Sequence, residues 1–341
     1  MSCVLCFGSV NVDDVFMVPH IVLTGETISS SEYKVHPGGK GANQSVALAK
    51  AGVDVHHAGR IGKDGVWVSD LMRSHGVKTD LLTVDGKKPS GRAIIQVSTA
   101  DNDNAIVLLP GTNHAISLDD ADRAIAVFDR GDWVVLQNEI NLDAANRVVE
   151  KAAEKGMIVV CNPAPCPSDF VQQFKLNHVD VLVLNASEAS SLAAQFDVSH
   201  MEKSQDTTEL ETARHAVKLL LQRLEKLKVA IVTLGGDGAV ACVRGTEGQV
   251  QIYHSPALPG VHLVDTTGAG DTFVGYFVAS LVRSLSGDVT RTASELLLDA
   301  DVMRLALKMG TAAGGMACEQ EGAMPSIPLW EDVSKRLAHV K

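Results

Sequence analysis

Three small residues followed by a lone carboxylate hold the densest chemistry in this chain: Gly268, Ala269, Gly270 and Asp271, within Val264-Asp265-Thr266-Thr267-Gly268-Ala269-Gly270-Asp271-Thr272-Phe273. The pattern from Phe273 to Leu285 predicts a long helix, so the small residues stand at its start. The first N–H groups of a helix lack internal partners and carry the positive end of its dipole. Small residues also let a ligand approach the backbone closely. The stretch therefore reads as an anion site. A carboxylate at the edge of such a site opposes binding unless it has another task. Taking the proton from a hydroxyl that attacks a phosphoryl group is such a task. The competing reading is a glycine-rich turn with Asp271 as a helix cap.

A second glycine-rich run, His36-Pro37-Gly38-Gly39-Lys40-Gly41-Ala42-Asn43-Gln44, precedes a predicted helix over Asn43–Ala51 with Gly52 as its C-terminal cap. Before it, Val4–Val10 reads as a strand running into Gly8-Ser9-Val10-Asn11-Val12-Asp13-Asp14. Polar residues after a buried strand sit where α/β proteins place ligands. Asp13 can accept two hydroxyls, Asn11 and Asn43 can donate and accept, and Lys40 can donate. These are the groups a sugar needs, although Asp13 alone would also suit a turn.

Four further places carry candidate residues. Glu139 follows the apolar run Val134–Leu136. Asn185 and Glu188 would share one face of a starting helix, which suits the water shell of Mg²⁺ or, equally, a capping box. Thr233-Leu234-Gly235-Gly236-Asp237-Gly238 closes a strand with three glycines, as a nucleotide platform or as a tight hairpin turn. The stretch Ala317–Ser326 ends a helix, whose last carbonyls could join Asp265 around a monovalent cation or could simply be capped by Gly322.

These residues need a frame. Short apolar, β-branched runs at Trp133–Gln137, Met157–Cys161, Val179–Leu184 and Val229–Leu234 alternate with helical segments, which predicts a parallel sheet covered on both faces. Ser29–Val35, and Ser90–Ala100 with Asn104–Leu109 around Asp101-Asn102-Asp103, are β-rich insertions; the latter pair reads as a hairpin. Ala239–Arg244 and Val250–His254 suggest another hairpin, Arg304–Glu319 a small-residue helix, and Gln195–Glu209 a surface loop.

Composition sets the outer bounds. The 341 residues are 45% hydrophobic with a formal net charge of -11, which argues against a nucleic-acid surface. No apolar run approaches the roughly 18 residues of a membrane span, and the start lacks signal-peptide features, so a cytoplasmic protein is expected. The six cysteines form no metal pattern and read as reduced thiols. Neither a P-loop nor a G-x-G-x-x-G motif occurs.

Asp265-Thr266-Thr267-Gly268-Ala269-Gly270-Asp271-Thr272-Phe273 resembles the second signature of the ribokinase-like sugar kinases, the PfkB family, and the run His36–Gln44 resembles its partner near the start. The likeness extends over nearly the whole chain. It implies one α/β kinase domain over residues 1–341: a three-layer sandwich with a central, mostly parallel sheet and a small β lid from about 13–38 and 90–109. It implies ATP-dependent phosphorylation of a primary hydroxyl on ribose or a similar small sugar, with Asp271 as base and Gly268, Ala269 and Gly270 as anion hole. The matching positions place the sugar on Asn11, Asp13, Gly39, Lys40, Gly41, Ala42, Asn43 and Glu139. They place ATP on Asn185, Thr233, Gly235, Gly236, Asp237, Gly238, Gly270 and Thr311, with Mg²⁺ held through water by Glu188. Potassium-activated relatives use the positions of Asp265, Thr267, Ala317, Gln320, Gly322 and Ser326. A homodimer through the lid is implied as well.

Two departures stand out. Asn185-Ala186-Ser187-Glu188 lacks the first acid of the usual Asn-Glu-x-Glu, and Thr311 stands where relatives more often carry Asn or His. A nucleoside kinase would need an aromatic-bearing lid, and the lid segments offer only Phe16 and Tyr33. A sugar-binding regulator on the same fold is the rival from another class. Asp271 beside an intact Gly-Ala-Gly favours an enzyme.

Overall fold

The computed structural model describes residues 2–101, 103–196, 208–245, 249–286 and 291–340. Most of the expected loop Gln195–Glu209, and Asn102 of the expected Asp101-Asn102-Asp103 turn, lie outside the described residues. In chain order the strands are β1 (Val4–Phe7), β2 (Asn11–Val18), β3 (Glu32–Gly38), β4 (Val55–Gly62), β5 (Lys78–Asp85), β6 (Gly91–Ser98) and β7 (Asn104–Leu109). They continue as β8 (Trp133–Gln137), β9 (Ile158–Asn162), β10 (Val181–Asn185), β11 (Val229–Thr233), β12 (Ala239–Arg244) and β13 (Val250–Ser255).

Nine of these form the main sheet in the order β13-β12-β11-β10-β9-β8-β1-β4-β5. From β5 to β11 every pair is parallel; β12 and β13 add an antiparallel edge. Both faces are covered because the strands are apolar throughout. Successive residues point to opposite faces, so Val4 and Cys6 pack with the helices Lys40–Lys50 and Ala269–Ser286. Leu5 and Phe7 pack on the other side with Leu142–Lys155 and Glu209–Arg223. Helices on both faces of one sheet make the three layers expected from the alternating pattern.

The remaining four strands form a separate sheet, ordered β3-β2-β6-β7. Here the structure departs from the sequence reading in detail. The strand expected over Val4–Val10 stops at Phe7, and Asn11–Val18, expected to lead into a polar, turn-rich stretch, is the inner strand β2 of the small sheet. β2 pairs antiparallel with β3 and parallel with β6, a non-local pairing that no periodicity within 11–18 announces. Strands β4 and β5 extend the main sheet beyond β1. Among the described residues no helix is long and apolar enough to cross a membrane.

The chain order around β1 decides where a ligand sits. β1 lies between β8 and β4, so successive strands run outward in opposite directions from this point. In open α/β sheets the crevice beyond the carboxyl ends of the strands at such a reversal receives ligands. The polar residues that close the strands gather there: Gln137 ends β8, Asn162 ends β9, Asn185 ends β10 and Thr233 ends β11.

Candidate active site

The first half of the site is built round the start of the helix Lys40–Lys50, which has no side-chain cap of its own. Its first N–H groups find partners elsewhere. Lys40 N–H donates to Glu139 Oε2 at 3.0 Å, Gly41 N–H to Ser9 Oγ at 3.3 Å and Ala42 N–H to the Ser9 carbonyl at 2.9 Å. Ser9 Oγ donates to the same Glu139 oxygen at 2.7 Å. A carboxylate is favoured at a helix start, so Glu139, delivered by the segment after β8, caps this helix from a distance.

The approach is so close that side chains are excluded. Gly39 has φ 93°, and a Cβ on Gly41 would lie 2.6 Å from the Ser9 backbone nitrogen. A Cβ on Gly38 would lie 2.0 Å from Asp13 Oδ2. Asn11, opposite Gly38 and Gly91 in the small sheet, accepts from Asn113 Nδ2 at 2.7 Å.

Two acceptors in this half are buried without partners: Asp13 Oδ1 and Asn43 Oδ1. Buried polar atoms are nearly always paired, so orphans that share one site point to a ligand with hydroxyl donors. Burial, then the neighbouring charges of Glu139 and Asp14, push the Asp13 carboxyl up to about 7. Lys40 is held above its ordinary value, first by Asp271 and, against the opposing effect of burial, by Glu139 and Glu188.

Asp271 lies in the first turn of the helix Ala269–Ser286 and is buried. Asn43 Nδ2 donates to its Oδ2 at 3.0 Å and Gln44 Nε2 to its Oδ1 at 2.9 Å. The two glycine-rich runs, more than two hundred residues apart in the chain, thus meet at this carboxylate. Gln44 also donates to Asn162 Oδ1 at 3.0 Å and accepts from Gln137 Nε2 at 2.7 Å. Sequence reasoning missed Gln44, Gln137 and Asn162 as site residues. The available signal was an amide closing each of two otherwise apolar strands.

The expected anion hole is modified in one respect. Gly268 has φ 76°, and its carbonyl accepts both the N–H and the hydroxyl of Thr272, at 2.8 and 2.9 Å. The Ala269 N–H, however, is engaged by the Thr266 carbonyl at 3.2 Å, because the chain turns there before the helix starts. A Cβ on Gly270 would meet nothing within 4 Å.

Beyond Gly270 opens a cleft of about 520 Å³. Thr233, Gly235, Gly236, Gly238, Gly270 and Thr311, all expected at a nucleotide, line this one cleft. Leu258, Val261, Leu263 and Phe273 supply apolar walls, none of them anticipated as site residues. Thr311 donates its hydroxyl to the Leu307 carbonyl, leaving oxygen lone pairs for a ligand. Asp237 is exposed in its turn and off the cleft lining, with its carbonyl 3.0 Å from His254 Nε2.

Asn185 is not part of the cleft lining either. It caps the helix Ala186–Ala194: its Oδ1 accepts from Glu188 N–H at 2.8 Å, and its own N–H donates to Glu188 Oε2 at 2.9 Å. That box holds Glu188 in place. Burial raises the Glu188 carboxyl, partly countered by the Asn185 N–H and Lys40, with Asp271 adding to the rise. A carboxylate so placed, near a second one, fits a hydrated divalent cation.

Asp265 stitches the loop before Gly268 to the end of the helix Ala300–Ala317. Its Oδ1 accepts from Thr267 N–H and Oγ at 2.9 and 2.6 Å, and its Oδ2 from Gly322 N–H at 2.8 Å. Burial works to raise this carboxyl, but those donors outweigh it and hold it below its usual range. The Cys318 carbonyl accepts from Val264 and Asp265, Gln320 N–H leans on the Ala317 carbonyl, and Ser326 Oγ donates to the Ala323 carbonyl. The carbonyl-rich corner suits a large monovalent cation by its donor chemistry.

Residues 1–330 match the family described as pfkB family carbohydrate kinase. A ribokinase of Haemophilus influenzae is 29% identical over 97% of this chain and 97% of its own. A ribokinase structure from Cryptococcus neoformans var. grubii, in complex with ADP, superposes with a TM-score of 0.81 at 33% identity, covering 98% of this chain and 100% of that one. The Arabidopsis thaliana ribokinase complexed with ribose and ATP gives 0.74 at 25% identity over 99% of both chains.

Proposed function

The chain belongs to the pfkB family of carbohydrate kinases, and from that premise we propose that it moves the γ-phosphoryl group of ATP to the 5-hydroxyl of D-ribose. The observation that carries this reading is the pair of buried orphan acceptors, Asp13 Oδ1 and Asn43 Oδ1, the second on a side chain that also holds the Asp271 carboxylate, next in sequence to Gly270 of the glycine-lined cleft. The Arabidopsis relative, complexed with ribose and ATP, supports these two ligands for the site.

In this reading the sugar lies on Asn11, Asp13, Gly39, Lys40, Gly41, Ala42, Asn43 and Glu139, under the small sheet acting as a lid. Asp271 takes the proton of the attacking hydroxyl. The N–H groups at Gly268 and Gly270 meet the transferring phosphoryl group, with Ala269 contributing once its turn bond is released. Glu188 and Asn185 would hold Mg²⁺ through water, and the ion would supply neutralisation of phosphate charge. K⁺ at the Asp265, Thr267, Ala317, Gln320, Gly322 and Ser326 corner would order the loop that leads into Gly268.

Lid geometry favours a small sugar over a nucleoside. Phe16 and Tyr33 stack at 4.9 Å, and strand alternation puts Phe16 on the face opposite Asp13. Neither ring is positioned to stack on a base above the sugar. The same outer face leaves Tyr33, Val35, Ile94 and Val107 exposed. An apolar patch of that kind suits a second copy of the chain, which we propose as the dimer partner.

Incubating the protein with ATP and Mg²⁺ against ribose, 2-deoxyribose, fructose and a set of nucleosides tests the reading. Ribose should give the highest kcat/KM. Preference for a nucleoside, or no phosphorylation of any sugar, would overturn it.

A further inference from the structure

Asp271 is oriented by a chain of buried amides whose polarity is forced from both ends. Gln44 is fully buried, Gln137 is 2% and Asn162 8% exposed. Asn162 Nδ2 donates to the Val183 main-chain carbonyl at 2.9 Å. That carbonyl can only accept, so Asn162 must turn its Oδ1 towards Gln44. Gln44 must then present Nε2, whose two hydrogens serve Asn162 Oδ1 and Asp271 Oδ1 at 3.0 and 2.9 Å. Its Oε1 consequently needs a donor, and Gln137 Nε2 supplies it at 2.7 Å. Gln137 does so while its own Oε1 stays buried without a partner, against Gly8, where a Cβ would come within 2.0 Å. A buried orphan that the polarity of its neighbours imposes marks the network as directional. A flipped Gln44 amide would set its one oxygen against both the Asp271 carboxylate and Asn162 Oδ1, and its nitrogen against Gln137 Nε2.

We propose that Gln44, oriented by Asn162 and Gln137, is a positioning residue that holds the Asp271 carboxylate in one rotamer, with its remaining lone pairs turned to the sugar hydroxyl. Asn43 secures the other oxygen, so the two neighbouring amides act on the two oxygens separately. The inference rests on the sugar-kinase reading for its kinetic consequence and on geometry alone for its structural one. Misplacing a reacting group by about 1 Å can cost on the order of 10²-fold in rate.

The test uses Gln44→Met, which keeps length and removes the donors, together with Gln137→Met and the double variant. Gln44→Met should lower kcat by about 10- to 100-fold with KM for sugar and for ATP within about twofold of wild type. Because Gln137 acts through Gln44, the double variant should be no slower than Gln44→Met alone. A kcat within twofold of wild type, a loss confined to KM, or additive losses would overturn the proposal. Crystal structures of Gln44→Met and, should that variant not fold, of Gln137→Met provide a readout that needs no turnover. Asp271 should occupy more than one rotamer. A single unchanged rotamer overturns the positioning role even if the wild-type protein phosphorylates some other class of acceptor, whereas a wild type inactive on every sugar would overturn only the sugar-kinase reading.

Discussion

The glycines of the run 38–41 and the glycines that line the cleft look alike in sequence and do opposite things in space. Around Gly38, Gly39 and Gly41 there is no room: an added Cβ would lie within 3 Å of Asp13, of the Ser9–Asn11 backbone, or of Gly8. Around Gly235 and Gly236, in the turn after β11, and Gly270, in the run 268–271, an added Cβ would meet nothing within 4 Å, whereas Gly268 packs against Ala323. The first set is glycine so that the protein can pack against itself and bring Lys40, Asn43 and Gln44 under β1. The second set is glycine so that something else can come close. Glycine content alone does not separate a packing requirement from a binding one; the space around each residue does.

The largest effect should come from the residue at which the loops meet. Asp271→Asn keeps the volume and loses the base. Turnover should drop by at least about 10²–10⁴-fold, while ATP affinity by calorimetry stays near that of the parent. Near-normal turnover would show that the meeting point is not the reacting centre.

The glycines themselves sharpen the comparison next. Gly41→Ala forces backbone apart and should lower stability by about 1–3 kcal/mol in denaturant unfolding. Gly270→Ala lies in a helical first turn with open space, so stability should hold or rise, by up to about 1 kcal/mol. Its methyl group should instead weaken ATP binding. Loss of stability in Gly270→Ala with ATP affinity intact would collapse the distinction.

Asp13 offers a test by pH. Burial sets its carboxyl at about 7 in the folded chain, above the roughly 3.9 of an unfolded one. The folded state therefore binds more protons between these values, so this group's contribution to stability falls as pH rises from about 4 to 7. Sugar hydroxyls donate to the ionised form, so binding should move the other way. Ribose affinity should rise about tenfold from pH 6 to pH 8, with proton release on binding below pH 8. Asp13→Ala should weaken ribose by roughly 1–3 kcal/mol and abolish that dependence. A pH-independent affinity in the parent would remove Asp13 from sugar binding.

The smallest effect concerns the corner behind the open loop. Replacing K⁺ with Na⁺ or a bulky ammonium ion should reduce kcat and leave both KM values little changed. Equal rates in all three salts would mean that the Asp265 hydrogen bonds alone order the loop.

Much of this protein was legible in its residues taken in order. The alternation of apolar, β-branched runs with helical segments determines a parallel sheet with two helical faces, because no other arrangement buries such strands on both sides. The type and spacing of Gly268 to Asp271 determine an anion site with a carboxylate at its edge, because a helix start has those properties wherever it occurs. Other features depended on partners far away in the chain. Glu139 became a helix cap only when β8 was laid beside β1, and Asn11–Val18 became a strand only when β3 and β6 arrived on either side. Asp13 acquired its raised carboxyl from its burial within that second sheet, with Glu139 and Asp14 adding to the rise. Gln44, Gln137 and Asn162 became a directional chain only because three separate elements end at one crevice. Local pattern determines which elements form, since it acts through the backbone and the nearest turns. Which polar groups are left without water, and what then satisfies them, is decided by non-local packing.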